Sequence, residues 1–504
     1  LQVNEKIIVG LDIGTTKICA VVGEVLEDEI NIIGVGSHPS TGLRKGSVVN
    51  IESTVDAIKK AVQEAELMAG CDISSVYVGI AGNHVKGFNS HGIIAIKGRE
   101  ITQNDVDRVI DAAKAVAIPA DREIIHVIPQ EFIVDDMTSI QNPVGMTAIR
   151  LEAKIHIVTG AVSSARNLVK CCNKAGLEVC DIVASSLASG QAVLSAEEKE
   201  LGCLVADIGG GITDLALFKD NNLKFIYELT VGGLNLTNDI SIGLRTPLPE
   251  AEKIKLDHGT CMPEHIKNGA TIDVPAVGGR SPKRLSRGIL AEILEPRVEE
   301  IFSLLKKELF SNGLENAFPA GFVLTGGSVV MDGFTEIAES VFNVPVRIGE
   351  PDKIGGLKDI VRNPAFATGV GLVFFGSTAA CDLPAAEPVK PGLGPVITRM
   401  KKWFKDIIEK QQHLGGGHEF FLCRKQGDGK NQGHRSRRGR GKRSQQHDQC
   451  QPAGRKIHRG QHRCPGPGNV QCGSQDSAGQ IPDRRAGGRC RSEYRKRGGS
   501  GKHR

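Results

Sequence analysis

Tryptophan occurs once in 504 residues and tyrosine three times, and no run of about 20 consecutive apolar residues exists. The second absence excludes a spanning helix. None of the 13 cysteines shows metal-ligand spacing. Eight of them (Cys19, Cys71, Cys171, Cys172, Cys180, Cys203, Cys261 and Cys381) are scattered through apolar stretches. That pattern excludes a zinc ribbon or a disulfide scaffold and reads as buried thiols in a reducing cytoplasm. Two common phosphate signatures are also missing: Gly-x-Gly-x-x-Gly after the first strand, and Gly-x4-Gly-Lys-Ser/Thr. Rossmann and P-loop enzymes are therefore disfavoured. The opening residues run straight into strand-like sequence, which predicts no signal peptide.

A strong charge of one sign is lacking too, but the net +5 averages two unlike segments. From Gly415 onward there are 22 Lys and Arg against 6 Asp and Glu; the remainder has 41 against 52. The body is mildly acidic and presents no basic nucleic-acid face. Its length allows two to four domains with sizeable cores.

What is present, twice, is a short phrase. Leu11-Asp12-Ile13-Gly14-Thr15-Thr16 stands near the front and Ala206-Asp207-Ile208-Gly209-Gly210-Gly211 recurs mid-chain. Each lies between apolar runs, so each predicts strand, tight turn, strand. Such turns offer backbone amides free of side-chain bulk, which suits a phosphate. The aspartate at each strand end is placed to hold a metal-bound water. Two copies imply a duplicated pair of domains closing on one nucleotide.

A third element, Gly321-Phe322-Val323-Leu324-Thr325-Gly326-Gly327-Ser328, reads as a buried strand ending in a glycine pair. These three motifs, in this order, resemble the actin, Hsp70 and sugar-kinase superfamily. Val231-Gly232-Gly233-Leu234-Asn235-Leu236-Thr237, Ala251-Glu252-Lys253-Ile254-Lys255 and Lys401-Lys402-Trp403-Phe404-Lys405 narrow the resemblance to the FtsA family of bacterial cell-division proteins, over roughly residues 5–412. The resemblance implies an α/β, actin-like fold of two duplicated domains around a nucleotide cleft. Residues 1–83, 163–202 and 364–383 would form the first domain, and 203–240 with 299–363 the second. Residues 84–162 would be an inserted α+β subdomain facing later division proteins, and 241–298 the second domain's smaller lobe.

The same resemblance assigns ATP and Mg²⁺ as ligands. Asp12, Gly14, Thr15, Thr16 and Lys17 would form the first phosphate loop, and Asp207, Gly209, Gly210, Gly211 and Thr213 the second. Asp12 and Asp207 would hold Mg²⁺ through water. Gly233, Glu252, Lys255, Gly326, Gly327 and Ser328 would surround ribose and base. Lys17 reads equally as a solvated hairpin lysine. Related chaperones carry a glutamate on the helix before the second loop, where this chain has Ser185-Ser186-Leu187-Ala188-Ser189. Serine activates water poorly at neutral pH. The expectation is therefore an ATP-binding protein with weak hydrolysis or none.

Local signals predict a helix starting at Ser53 and Asp56, with Val55, Ile58, Val62 and Ala65 on one face and Gly70 as its stop. Thr102 and Asp105 cap a second helix carrying Val106, Val109, Ile110, Ala113 and Val116. Lys283, Arg284, Arg287 and Arg297 lie in or beside the smaller lobe, which in the family touches the tubulin-like FtsZ. They read as partner contacts or as an ordinary solvated face. Asn363 to Phe375 resembles the family's closing helix, and a Pro-rich linker follows over 384–395.

Residues 396–412 place Ile397, Met400, Trp403, Phe404, Ile407 and Ile408 on one helical face, flanked by Lys401, Lys402 and Lys405. At roughly 25 Å such a helix lies in an anionic membrane interface rather than crossing it. The alternative is a terminal helix packed on its own domain. Residues 415–504 hold only Leu422, Ile457, Val470 and Ile481 as aliphatics, too few for a core. They read as a disordered RNA-binding segment or as translation out of frame, and the cysteines' lack of zinc spacing favours the second.

Together these features predict an actin-like division protein at the inner face of the cell membrane, peripheral and at the division site. It would tether FtsZ filaments, self-assemble and recruit later division proteins. A sugar-type kinase on the same fold is the rival, although no catalytic carboxylate beside a sugar pocket can be placed. An Hsp70-like chaperone lacks room for its substrate domain.

Overall fold

A computed structural model describes residues 6–26, 29–276, 278 and 281–381. The linker, the amphipathic segment and the tail read from the sequence lie outside the described residues.

Both Asp-x-Gly phrases form hairpins. Lys6–Ile13 pairs antiparallel with Lys17–Leu26, and Cys203–Ile208 pairs antiparallel with Thr213–Lys219. Each hairpin extends into a third antiparallel strand, Glu29–Pro39 in the first case and Asn222–Leu229 in the second. On the other side of each first strand two further strands follow in parallel. These are Ser75–Ile80 and Glu178–Ala184 in the first sheet, Phe322–Thr325 and Val346–Ile348 in the second. The two sheets therefore share one strand order, which is duplication expressed as topology. Parallel neighbours need crossovers, and the helices that supply them cover the sheet faces.

The first sheet has a sixth strand. Ile354–Gly356 pairs with Glu29–Pro39, so the chain returns to the first sheet before residue 364, ahead of the boundary read from the sequence. Three residues with a Gly-Gly pair leave no periodic signal to read.

Between strand Ser75–Ile80 and helix Val162–Ala175 stands a separate antiparallel sheet, ordered Lys86–Glu100, Thr147–Ala161, Arg122–Val134, Met137–Ile140. Helix Gln103–Lys114 covers it, burying Val106, Val109 and Ala113. Thr102 and Asp105 form its capping box, and Arg99 binds the fully buried Asp105 carboxylate through two bonds of 2.7 Å. That guanidinium, with Thr102, holds the carboxyl well below the usual range. The helix stops before Val116, which is exposed; Pro119 ahead bars its continuation.

The helix expected to begin at Ser53 runs Ile51–Ala69. Its cap is Asn50, whose Oδ1 accepts the Ser53 N–H at 3.1 Å, and Gly70 ends it in the left-handed region. Of the cysteines, Cys180 is exposed and Cys71 half-buried, against the expectation of uniform burial, while Cys19, Cys171, Cys172, Cys203 and Cys261 are buried. Among the described residues no helix is long and apolar enough to cross a membrane.

A shared core joins the two halves. It gathers Ile8, Val21 and Val183 from the first sheet's half and Val205, Phe218 and Val323 from the second. Helix Ser185–Val193 and helix Ala367–Cys381 cross inside it. The crossing is so close that a Cβ built on Gly371 would stand 1.9 Å from the Ala188 carbonyl oxygen.

Candidate functional site

The two hairpin turns meet tip to tip. Each is closed by one backbone bond, Gly14 N–H to Lys17 O at 2.9 Å and Gly209 N–H to Ile212 O at 3.0 Å. A Cβ on Gly210 would lie 2.4 Å from the Thr16 side chain, and one on Gly211 2.7 Å from Thr15. Only glycine allows this approach. Helix Gly233–Leu244 supports the second turn from behind, donating Gly233 N–H to Gly209 O (2.9 Å) and Leu234 N–H to Gly210 O (2.7 Å). Among the described residues the amides of Thr15, Thr16, Gly210 and Gly211 donate to no protein acceptor, so they remain for a ligand.

Between the turns lies a cavity of about 180 Å³. Asp12, Gly14, Thr15, Thr16 and Lys17 line it from one side; Asp207, Gly209, Gly210 and Gly211 face them, and Gly326 and Gly327 close one end. The volume falls below the roughly 300 Å³ at which small-molecule pockets begin.

Five expected site residues stand outside the cavity. Thr213 is fully buried and donates its hydroxyl to Val231 O at 2.9 Å, so its side chain supports the turn. The other four form a second cluster behind the glycine loop. Lys255 Nζ donates to Glu252 (2.8 Å), Thr237 (3.0 Å) and Gly233 O (3.2 Å), while Ser328 Oγ donates to Gly209 O at 3.0 Å. Thr237 also bonds Glu252. The two clusters share Gly209 as a common wall.

Carboxyl groups crowd the cavity. Burial, with the neighbouring Asp207 adding to it against the opposing charge of Lys17, pushes the Asp12 carboxyl up to about 6. Burial likewise raises Asp207, partly offset by the Thr368 hydroxyl that donates to it at 2.8 Å. Asp214 also lines the cavity, directly across the strand from Asp207 on one side and Glu228 on the other. Burial raises Asp214 and Glu228 well above the carboxylate range, and their repulsive neighbours raise them further. Asp214 Oδ1 is buried with no hydrogen-bond partner. Such a set favours an added cation. Among the described residues no three ligands converge for direct coordination, so a hard ion would be held through its waters, as Mg²⁺ prefers.

The sequence marked neither Asp214 nor Thr368 as a cavity residue. Its available signal for Asp214 was one acid inside the apolar strand Thr213–Lys219. Ser185 starts its helix at the cavity wall. Lys17 points its Nζ at the Ala365 carbonyl, 2.6 Å away, and over the Phe366 ring at 4.2 Å.

The four candidate partner cations separate. Arg297 is committed to Asp239 (2.6 and 3.1 Å) and to Glu300. Arg287 donates to His258 O at 2.9 Å. Lys283 and Arg284 are exposed on the ribbon Thr271–Val274/Lys283–Ser286, with Arg284 only 3.8 Å from an equally exposed Asp273.

A curated cell-division protein FtsA of Pseudomonas aeruginosa is 47% identical over 409 residues, covering 79% of this chain and 97% of that protein. The chain belongs to the FtsA family. Its relative from Neisseria meningitidis is 42% identical over 412 residues, covering 81% of the chain and all of that protein. Two family models match: "SHS2 domain inserted in FTSA" over residues 82–159 and "Cell division protein FtsA" over residues 204–371. Among solved structures, the PilM-PilN type IV pilus biogenesis complex superposes with a TM-score of 0.54 at 16% identity, covering 73% of this chain and 98% of that one. That likeness shows the fold. The protein is thus a cell-division protein with an actin-like fold and an inserted SHS2 domain, and the kinase alternative has no support.

The raised Asp12 carboxyl has a consequence for the ligand-free protein. Its folded value of about 6 exceeds the ordinary 3.8, so ionising it opposes folding. The stability it contributes is full below about 4 and lost as pH rises through about 6. His126 and His156, held down to about 4 by burial, act oppositely, losing stability as pH falls below 6.5. Wild type minus Asp12→Asn isolates the first effect. Between pH 5 and 7 the variant's melting temperature is expected to gain on that of wild type in differential scanning calorimetry.

Proposed function

We propose that the cleft binds ATP with Mg²⁺ and that the chain uses this site to assemble and to tether FtsZ filaments to the cytoplasmic membrane at the division site. The observation that carries the reading is the pair of facing turns, whose unpaired amides and buried carboxyls line one cavity. The amides of Thr15, Thr16, Gly210 and Gly211 would bind phosphate oxygens. Asp12, Asp207 and Asp214 would hold the waters of Mg²⁺, which neutralises phosphate charge when bound. Glu252, Lys255, Gly233 and Ser328 are the candidates for ribose and base. With Ser185 where a water-activating acid would stand, nucleotide serves mainly as a conformational and assembly ligand, hydrolysed slowly at best.

Membrane attachment rests on the sequence of residues 396–412, whose apolar face and lysines suit an anionic leaflet, with about 1 kcal/mol per nearby cation. Lys283 and Arg284 are the cations presented for a partner such as FtsZ. Later division proteins would meet the inserted domain. The test is co-sedimentation of the full chain with anionic vesicles, with and without Mg-ATP and FtsZ. The chain should pellet with vesicles and carry FtsZ with it. Trp403→Glu places a charge in the apolar face, which costs about 2–3 kcal/mol in lipid. Vesicle binding should fall at least about tenfold while ATP binding persists. A variant that still pellets with vesicles shows that the segment is structural.

A further inference from the structure

Five consecutive residues, Pro364 to Thr368, touch all three turns of the site. Gly326 N–H donates to Pro364 O at 3.2 Å, Lys17 Nζ to Ala365 O at 2.6 Å, and Thr368 Oγ1 to Asp207 Oδ2 at 2.8 Å. Phe366 lies under the Lys17 ammonium, 4.2 Å from it. Ala365, Thr368 and Lys17 all line the cavity. Two side-chain ties therefore end on groups that a nucleotide would also use, Lys17 and Asp207. The Gly326–Pro364 tie joins backbone to backbone, Thr325 Oγ1 also donates to Pro364 O at 3.3 Å, and neither bond involves those groups.

Helix Ala367–Cys381 begins inside this segment. It is wedged by backbone contacts: a Cβ on Gly10 would stand 2.4 Å from Gly369 O, and one on Gly371 1.9 Å from Ala188 O. Close-packed interiors transmit displacement rather than absorb it. A shift at residues 365–368 is thus carried along roughly 20 Å of helix. Beyond Cys381 the sequence continues toward the Pro-rich stretch and the amphipathic segment.

We infer that Lys17 is a phosphate-responsive latch: its one ammonium serves either the Ala365 carbonyl or an anion in the cavity, so anion binding loosens residues 364–368 and releases the closing helix to shift. The inference rests on the nucleotide reading above. A lysine ammonium is a compact charge on a flexible stem with three rotatable donors, so it can exchange partners without moving its strand. A phosphate oxygen outcompetes a neutral carbonyl, because both partners of that bond are charged. Asp207 follows the same logic, since a hydrated cation competes with the Thr368 hydroxyl for its oxygens. The Gly326–Pro364 bond stays as the pivot.

The test is hydrogen–deuterium exchange of the full chain with and without Mg-ATP, run beside calorimetry that establishes binding. The latch predicts opposite signs in neighbouring peptides. Exchange over residues 14–17 and 209–212 should slow, while exchange over 365–370 should quicken by at least about threefold. In Lys17→Met the 365–370 peptide should exchange quickly without nucleotide and gain nothing from it. Phe366→Leu, outside the cavity wall, should raise the nucleotide-free rate partway and keep the response. Mg-ATP binding that protects 365–370 or leaves it unchanged in wild type would overturn the latch alone, as would a full response in Lys17→Met. Failure of wild type to bind ATP would bring down the nucleotide reading and the latch with it. Should Lys17→Met not fold, the sign in wild type decides.

Discussion

Asp207→Ala is expected to lose at least about a hundredfold in Mg-ATP affinity, close to 2.7 kcal/mol, while remaining folded. The residue is the last but one of the first strand of the second hairpin, lines the cavity and faces both Asp12 and Asp214 across a small space. Removing it takes away one acceptor for the waters of a bound cation. It also relieves repulsion, because Asp207 raises the carboxyls of Asp12 and Asp214. The Thr368 hydroxyl loses its acceptor, a modest opposing cost of about 1 kcal/mol. Melting temperature without ligand should therefore hold or rise as affinity falls. Calorimetric titration and a thermal melt on the same preparation check both halves. Unchanged affinity would remove Asp207 from the site, and a collapsed melt would make its role structural.

The second large effect concerns the crossing of the two central helices. Gly371→Ala should destabilise the protein by about 3 kcal/mol, because the added methyl meets the Ala188 carbonyl, a backbone atom that cannot rotate away. Gly288→Ala is the control. Its nearest neighbour is Ser286 Oγ at 3.4 Å, an ordinary contact, so the change should stay within about 0.5 kcal/mol. Denaturant midpoints of the two variants give the comparison. Equal midpoints would show that the helices separate easily and do not bind the two halves together.

These two residues also mark what the sequence made legible. Asp207 stood out because a charged residue at the end of an apolar strand, followed by three glycines, has few other uses, and the phrase recurs at Asp12. The Thr102–Asp105 capping box was equally plain, since capping is local chemistry. Gly371 was visible as half of a Gly-x-Gly, but its role is set by Ala188, 183 positions earlier, and no local pattern encodes that distance. Strand Lys86–Glu100 escaped reading for a related reason: Asn89, Ser90 and His91 fill a half-exposed sheet position, so alternation is blurred. Lys17 left two readings open, phosphate ligand or solvated hairpin lysine. The structure shows a third partner, the Ala365 carbonyl, supplied by a segment 348 residues away. Glu228 becomes notable only once the sheet register sets it beside Asp214.

The two duplicated turns act on one ligand. Calorimetric titration of Mg-ATP into the full-length wild-type chain, repeated with Gly14→Val and Gly210→Val, tests it most directly. A Cβ on Gly14 would meet Lys17 O at 2.7 Å, and one on Gly210 would meet Thr16 at 2.4 Å, so each variant disturbs one turn. One nucleotide is expected per wild-type chain, with loss of that same binding event in either variant while the rest of the protein stays folded. Two nucleotides per chain, or full binding in a folded variant with one turn blocked, would contradict it.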